Sequence, residues 1–569
     1  MTDSSSRPLS ARVGETLIRW LGRARSRGSA LRARAEPVMD ALPGLLLVTG
    51  LGALSGTVLV FILNHQLTAA AAVPSVGVGV IFLLVVIVYR GTQKLVISRA
   101  GALVEQALHT RRIRVVNEIF QLTLSDTESL TRGRAIDGMT RHYSTLSQSV
   151  FPLVQGLQSV MFSACLLAYL CWLSPAAGAL AAAVACLLWL GIGNGFRQWM
   201  AQEGRINQSS SRLSRLTEQM LDGFKELRLN QYKRHSLRTE VDSTCAEIRD
   251  LRADIAHLMA VAFALVAVIG YLLLGAIIIL WPILSKHPLP HGSQLATVTL
   301  FLVGPMLNMA TMAHQVGLAR FALEQIDKFE AQVLALALAK PAAAEVAVPA
   351  AFEHIGLQGL GYTHASAKEG APAFSLADLS LELRRGTITF ITGLNGSGKT
   401  TLLRLLTGLY SAHSGHLTVD GIALPSDPGQ AYRDYFSCVF ADNHLFSQPY
   451  GLDAAGLERL SSLLKHFDIA QKLPADLAHG YDPATLSTGQ RKRLALALAL
   501  AEDRPVLVLD EWAADQDAAS RKAFYTTVLP GLKAEGKTIV AVTHDERYFE
   551  VADVHYEIKD GQLTLAGAE

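Results

Sequence analysis

The segment Gly393-Leu-Asn-Gly-Ser-Gly-Lys399-Thr400 carries the most specific chemistry in the chain. Its spacing fits G-x-x-x-x-G-K-[ST], in which glycines let backbone N–H groups face an anion and the following helix start adds partial positive charge. Gly393, Asn395, Gly396, Ser397 and Gly398 would form the cradle, and Lys399 would reach the terminal phosphates. Thr400 would hold magnesium, and Thr400 and Thr401 would complete the nucleotide-binding set where the helix-like Thr401–Thr407 begins. Further on, Val506-Leu-Val-Leu-Asp510-Glu511 sets two carboxylates at the end of an apolar run. Asp510 is the second candidate magnesium ligand, and Glu511 is placed to act as general base on a water. Alone, that pattern is most often a strand ending in a solvated turn; the phosphate loop upstream changes its weight. Leu486-Ser-Thr-Gly-Gln490, followed by Arg491-Lys492-Arg493, reads as a polar cap before a helix through Leu494–Ala501. Ser487 and the Gly489 amide sit where a helix start offers donors to an anion, although a plain helix cap is the simpler reading. His544, in Thr543-His544-Asp545 after the last apolar run, would by itself be an ordinary loop histidine.

Positioning these groups requires a soluble α/β domain, and the composition changes to one after about Phe352. Leu379–Leu383 alternates ahead of a turn at Gly386, and Thr387–Thr392 reads as a buried strand. Val506–Leu509 and Thr538–Val542 are further strand-like runs bounded by polar or turn residues. An Ala-rich connector, 334–351, precedes this domain and is interrupted by Pro341 and Pro349.

The rest of the chain is different in kind. Of 569 residues, 50% are hydrophobic and only 18% charged, below the ~25% charge of ordinary soluble domains, and this deficit points to a membrane. Six stretches have the ~20 apolar residues needed to cross a bilayer: 41–63, 66–89, 149–173, 176–196, 256–281 and 294–317. The first, third and fifth links are short, around His65, Pro175 and Ser285–Ser293, whereas the second and fourth hold about sixty residues each. Arg90, Arg111, Arg112, Arg114 and Arg141 lie in one long link and Arg197, Arg205, Arg212, Arg215 and Lys225 in the other, while the short links hold Lys286 and no arginine. Positive-inside counting puts both long links in the cytoplasm, together with the arginine-rich tail of residues 1–40, which reads as retained and not as a cleaved signal. Helical spacing such as Leu213, Leu216, Met220 and Leu221 extends the spans beyond the bilayer. A net charge of +2 gives no support to nucleic-acid binding. The five cysteines form no C-x-x-C pair, which argues against a zinc site or a disulfide framework.

The ordered set G-x-x-G-x-G-K-T-T, L-S-x-G-Q, four apolar residues plus D-E, and T-H-D resembles the nucleotide-binding domain of ABC transporters. The six spans with long second and fourth links resemble the exporter-type membrane domain of the same superfamily. Gly223-Phe-Lys-Glu-Leu-Arg-Leu-Asn230 and Asp510-Glu-Trp-Ala-Ala-Asp-Gln-Asp517 are similar to phrases of its cyclic-peptide and siderophore-precursor branch, the pyoverdine- and syringomycin-type exporters. The implied fold is an all-α six-helix transmembrane domain over 41–333, followed by an α/β P-loop ATPase domain over 352–569.

The resemblance implies ATP and Mg2+ as cofactors, with Lys399, Glu511 and His544 catalytic. It implies that Tyr362 stacks on adenine, although His364–Pro372 lengthen the distance to the phosphate loop. Ser487, Gly489 and Gln490 would meet the γ-phosphate held by an opposite subunit, Asp517 would sit between the two sites, and segments near Ser125–Thr131 and Asp222–Leu229 would couple the domains. Ala441 falls where the family carries a glutamine, with Asp442 adjacent as a candidate substitute. A homodimer in membrane lipid of a bacterial inner membrane, exporting peptide-like or siderophore-precursor cargo, is the leading expectation. A lipid flippase and an ATP-gated, channel-like protein are the alternatives. Gln155, Gln158, Asn194, Asn308, His314 and Gln315 are the polar exceptions within the spans, as helix bridges more readily than as cargo contacts.

Overall fold

The computed structural model describes residues 29–68, 75–130, 132–280, 283, 291–338, 348–364, 374–442, 444–474, 476–477, 480–559 and 561–566. The expected tail over 1–40, the fifth link and the connector fall mostly outside them. The chain separates into two compact units, Met1–Phe120 with Thr131–Leu334, and Gln121–Leu130 with Ala335–Glu569.

The first unit is helical. Its elements are α1 (Ser29–Thr68), α2 (Val76–Phe120), α4 (His142–Leu173), α5 (Pro175–Asp222), the short α6 (Phe224–Leu229), α7 (Gln231–Gly275) and α8 (Gly292–Leu338). Among the described residues five helices are long and apolar enough to cross a membrane, and Pro175–Val184 is a shorter apolar stretch at the start of α5. At 1.5 Å per residue the 45 residues of α2 reach about 68 Å, more than twice the ~30 Å hydrocarbon thickness, so the helix runs well past any span.

Local chemistry sets the breaks between these helices. The Ser174 side chain accepts from the Ala177 amide and Pro175 takes the first helical position, where its missing N–H costs nothing. Asn230 caps α7 by accepting from Tyr232 and Lys233, at 3.0 and 3.1 Å. One boundary differs from expectation: α1 continues through His65 and Gln66 to Thr68, and the second span begins at Val76, not at residue 66. Residues 66–75 are apolar enough to count toward a span, but hydropathy does not register where a helix starts; the Ser75 carbonyl receives the first-turn amides of Val78 and Gly79.

Val60, Leu166, Leu170, Leu273, Leu295 and Val298 form the unit's main core, while Leu47, Leu83, Leu84 and Ile87 remain exposed. This apolar exterior is what a lipid-facing surface requires. Near the far ends of the helices, Arg111 pairs with Asp327 and Glu330, each at 2.7 Å, and the Tyr143 hydroxyl donates to Glu330.

The second unit contains α3 (Leu124–Ser129) and two sheets. β1 (His354–Thr363), β2 (Ser375–Arg384), β4 (Ser414–Val419) and β5 (Ile422–Ala423) make an antiparallel sheet in the order β2-β1-β4-β5. The second sheet, in the order β10-β9-β3-β8-β7-β6, uses β3 (Ile388–Gly393), β6 (Phe436–Val439), β7 (Val506–Asp510), β8 (Thr538–Val542), β9 (Val554–Lys559) and β10 (Gln562–Leu565). All its pairings are parallel except β9 with β10. β7 and β8 are buried along their whole length, which is why they read as continuous apolar runs; a parallel sheet covered on both faces has no wet side to alternate with. The helices α9 (Lys399–Leu406), α10 (Ala454–His466), α11 (Thr488–Ala501) and α12 (Ala518–Ala523) belong to the same unit, with further short helical segments at Gly429–Arg433 and Leu529–Ala534. Parallel strands bring all their carboxyl ends to one edge, and β3, β7 and β8 end there beside the start of α9.

Candidate functional site

β3 ends at Gly393 and the chain turns through Leu394–Gly398 into α9. Gly398 sits at φ +107°, and a Cβ there would lie 2.6 Å from Leu376 Cδ2, so both the backbone and the space demand glycine. No side chain caps the first turn of α9. The buried Lys399 ammonium instead folds back on its own loop, donating to the Gly393 and Leu394 carbonyls at 3.0 and 3.1 Å. Ser397 Oγ is buried without a hydrogen-bond partner. An uncapped helix start, an orphaned hydroxyl and an inward lysine are the donors that a phosphate would satisfy.

The carboxylates lie on the same edge. Thr400 Oγ1 donates to Asp510 Oδ2 at 2.8 Å, which brings together the two expected magnesium ligands. Burial raises the Asp510 carboxyl above the ordinary aspartate range; hydrogen bonds from Thr400 and the Ala441 amide oppose the shift, and the Glu511 charge adds to it. Two hard oxygen groups, one of them a buried anion, suit magnesium.

Glu511 adopts a left-handed backbone, φ +50°, a conformation that costs an ordinary residue about 1–2 kcal/mol. It is fixed from both sides: its amide donates to the Val542 carbonyl, and its carbonyl accepts from Lys492 Nζ at 2.7 Å. The carboxylate thereby stands 3.6 Å from Lys399 Nζ and 3.2 Å from His544 Nε2. The three residues expected to be catalytic are in one cluster.

Ser487, Gly489 and Gln490 are elsewhere. The Ser487 side chain accepts from the Gln490 amide while Gln490 Oε1 accepts from the Ser487 amide, a reciprocal cap on α11. Gln516 Nε2 donates to the Gly489 carbonyl, and Asp517 caps α12 while pairing with Arg493 at 3.0 Å. Among the described residues no hydrogen bond or ion pair joins Ser487, Gly489 or Gln490 to Lys399, Glu511 or His544.

Two expectations need revision. Tyr362 is 6% exposed, with its ring stacked against Tyr410 at 4.9 Å and His413 at 5.2 Å, so no face is open to a purine. The ring beside the phosphate loop is His364, whose Nε2 lies 3.2 Å from Thr401 Oγ1. Phe374 stands nearby, within 3.0 Å of the space over Gly398. Asp442 does not take the missing glutamine's place: its carboxylate is bound by Arg404 at 2.8 Å.

Lys492 and Arg404 are the residues that sequence reasoning missed. Lys492 is buried between the Glu511 carbonyl and the Asp515 carboxylate. In the sequence it is one of three consecutive basic residues, and only burial separates it from its neighbours.

A family model described as ABC transporter matches residues 376–514. The ATP-binding protein SyrD of Pseudomonas syringae pv. syringae is 30% identical over 371 residues, a match spanning 63% of this chain and 64% of that protein's length. The energy-coupling factor transporter ATP-binding protein EcfA1 of Thermotoga maritima is 32% identical over 202 residues, 34% of this chain and 76% of that protein. Among solved structures, that of a bacterial Atm1-family ABC exporter with ATP bound is similar over 94% of this chain and 96% of that one, with a TM-score of 0.69 and 18% identity. At that identity the likeness speaks for the fold alone.

Proposed function

Because the chain belongs to the ABC transporter family, we propose that it is one half of an ATP-hydrolysing exporter of a bacterial inner membrane. The observation that carries the hydrolytic part is the cluster of Lys399, Glu511 and His544 next to the Thr400–Asp510 pair. Lys399 binds the terminal phosphates, and the Gly393–Gly398 loop holds the remainder through backbone N–H groups. A magnesium ion held by Thr400 and Asp510 would supply charge neutralisation across those phosphates. Glu511 accepts the proton of the attacking water, and His544 holds Glu511 and the phosphate in register.

The separation of Ser487, Gly489 and Gln490 from this cluster supports a dimer. A second copy brings its own helix start to the first copy's phosphate, and two-fold symmetry makes both sites alike. Peptide-like or siderophore-precursor cargo is the substrate reading, supported by the phrases Gly223–Asn230 and Asp510–Asp517 and by the apolar character of the helices.

The test uses the full-length chain and its Glu511→Gln variant in liposomes. The variant is expected to bind Mg–ATP like the parent and to lose at least ~100-fold in turnover, the scale of a general base; unchanged ATPase activity would remove Glu511 from that role. Stimulation of the parent by amphipathic cyclic peptides favours the cargo reading. Stimulation by lipid alone would replace it with a flippase, and passive conductance gated by ATP would replace it with a channel.

A further inference from the structure

Residues Gln121–Leu130 belong by their contacts to the second unit, although both ends run directly into the first unit's chain, at Phe120 and Thr131. The segment is well built locally. Thr123 and Asp126 cap α3 reciprocally, which fixes the turn that presents Glu128. The Glu128 carboxylate accepts from Arg404 Nη1 at 3.2 Å and from the Tyr410 hydroxyl at 2.9 and 3.0 Å. Leu124 of the same segment packs against the buried cluster that includes Tyr362 and Tyr410.

Arg404 lies on α9, five residues beyond Lys399 in the helix that starts the phosphate site. Its side chain is only 17% exposed and its guanidinium forks: Nη1 serves Glu128 and Tyr410, and Nη2 serves Asp442 at 2.8 Å. Asp442 lies three residues beyond Val439, the last residue of β6, which pairs with Leu509, the neighbour of Asp510 on β7. The ion pairs of Arg404 therefore join the loop after β6, beside the strand end that carries Asp510, to Glu128.

We propose that Arg404 is the positioning residue that carries nucleotide state from the Asp510 loop to segment 121–130, through ion pairs with Asp442 and Glu128, in a chain with no glutamine at position 441. The inference rests on the nucleotide reading given above. Two carboxylates from separate loops are held by one planar cation with fixed donor geometry, so a shift of either loop changes the orientation available to the other. Alanine at 441 has no polar side chain, so the polar connection of this loop is made by the neighbouring acid. The energetic worth of such pairs is small near the surface; their use here is geometric, in fixing where Glu128 sits relative to α9.

The experiment is backbone hydrogen exchange of residues 121–130 in the full-length chain, with and without Mg–ATP, in a Glu511→Gln background that holds ATP without turnover. With Arg404 present, Mg–ATP should slow exchange in the segment at least ~3-fold. Arg404→Met should leave the ATP dissociation constant within ~3-fold and abolish that response, and Arg404→Lys, which reaches one carboxylate at a time, should restore part of it. Asp442→Asn provides a second break at the other end of the link, also with ATP binding retained and the response reduced. Intact ATP binding with an undiminished response in both Arg404→Met and Asp442→Asn would overturn the link alone. Failure of the background chain to bind Mg–ATP would overturn the nucleotide reading, and the link with it.

Discussion

Two helices in the second unit begin with sequences that could receive a phosphate, and they are prepared for it in opposite ways. The first turn of α9 has no side-chain cap, its preceding residue is a glycine at φ +107°, and its lysine is buried. The first turn of α11 is closed on itself, with Ser487 and Gln490 satisfying one another's backbone amides at an exposed end. A helix start whose donors have no protein partner is waiting for an anion; one whose donors are already bonded must give up a bond to take one. The difference argues that α9 is the permanent half of a nucleotide site. The α11 start is then the half that engages reversibly, when a second copy approaches.

The strongest way to break this contrast is at α9. Lys399→Ala should weaken ATP binding by at least ~100-fold, near 3 kcal/mol, because a buried charge-assisted contact is lost with nothing to replace it. Isothermal titration of the full-length chain in detergent checks it, and retained micromolar binding would show that the α9 start is not the principal phosphate site. Gly398→Ala should cost about tenfold in affinity, from the ~1–2 kcal/mol that an L-residue suffers at positive φ, compounded by the approach of Leu376. An equivalent glycine replacement at α11, Gly489→Ala, brings a Cβ to within 3.0 Å of the Asp515 carbonyl and should leave ATP binding by the isolated protomer unchanged.

What the sequence disclosed follows the same physical divide. β3, β7 and β8 were legible because buried parallel strands are unbroken apolar runs, and the loops at their ends carry the residues of the site. β1 was not read as a strand: Gly356, Gly359 and Gly361 lower its strand propensity, and its place comes from pairing with β2 and β4. Arg404 and Glu128 are 276 residues apart, so no local pattern could join them. The stacking of Tyr410 and His413 over Tyr362 is likewise a matter of which strands and loops meet, and it separates an aromatic at the expected position from an aromatic that is open.

That separation gives a smaller test. His364→Ala should weaken ATP binding about fivefold, the range of one aromatic contact, whereas Tyr362→Phe, which keeps the stacked ring and removes the hydroxyl, should change it less than ~2-fold. The two dissociation constants, measured side by side with a fluorescent ATP analogue, sharpen the account of α9 by showing which ring accompanies its phosphate loop. A large loss with Tyr362→Phe and none with His364→Ala would return the adenine to Tyr362.

The smallest expected effect falls on α11, and there two substitutions separate capping from phosphate contact. Ser487→Ala removes the cap and should cost about 1 kcal/mol, read as a fall of roughly 2–4 °C in the thermal midpoint, with ATP binding to the protomer unaltered. Ser487→Gly is nearly as good a cap, costing a few tenths of a kcal/mol, yet it also lacks the hydroxyl. If the serine only starts a helix, glycine should restore both the midpoint and the ATPase rate. If its hydroxyl turns from its own helix to a partner's phosphate, the midpoint should recover while turnover stays depressed, because the energy of the cap and the contact made in the closed dimer are then carried by the same oxygen at different moments.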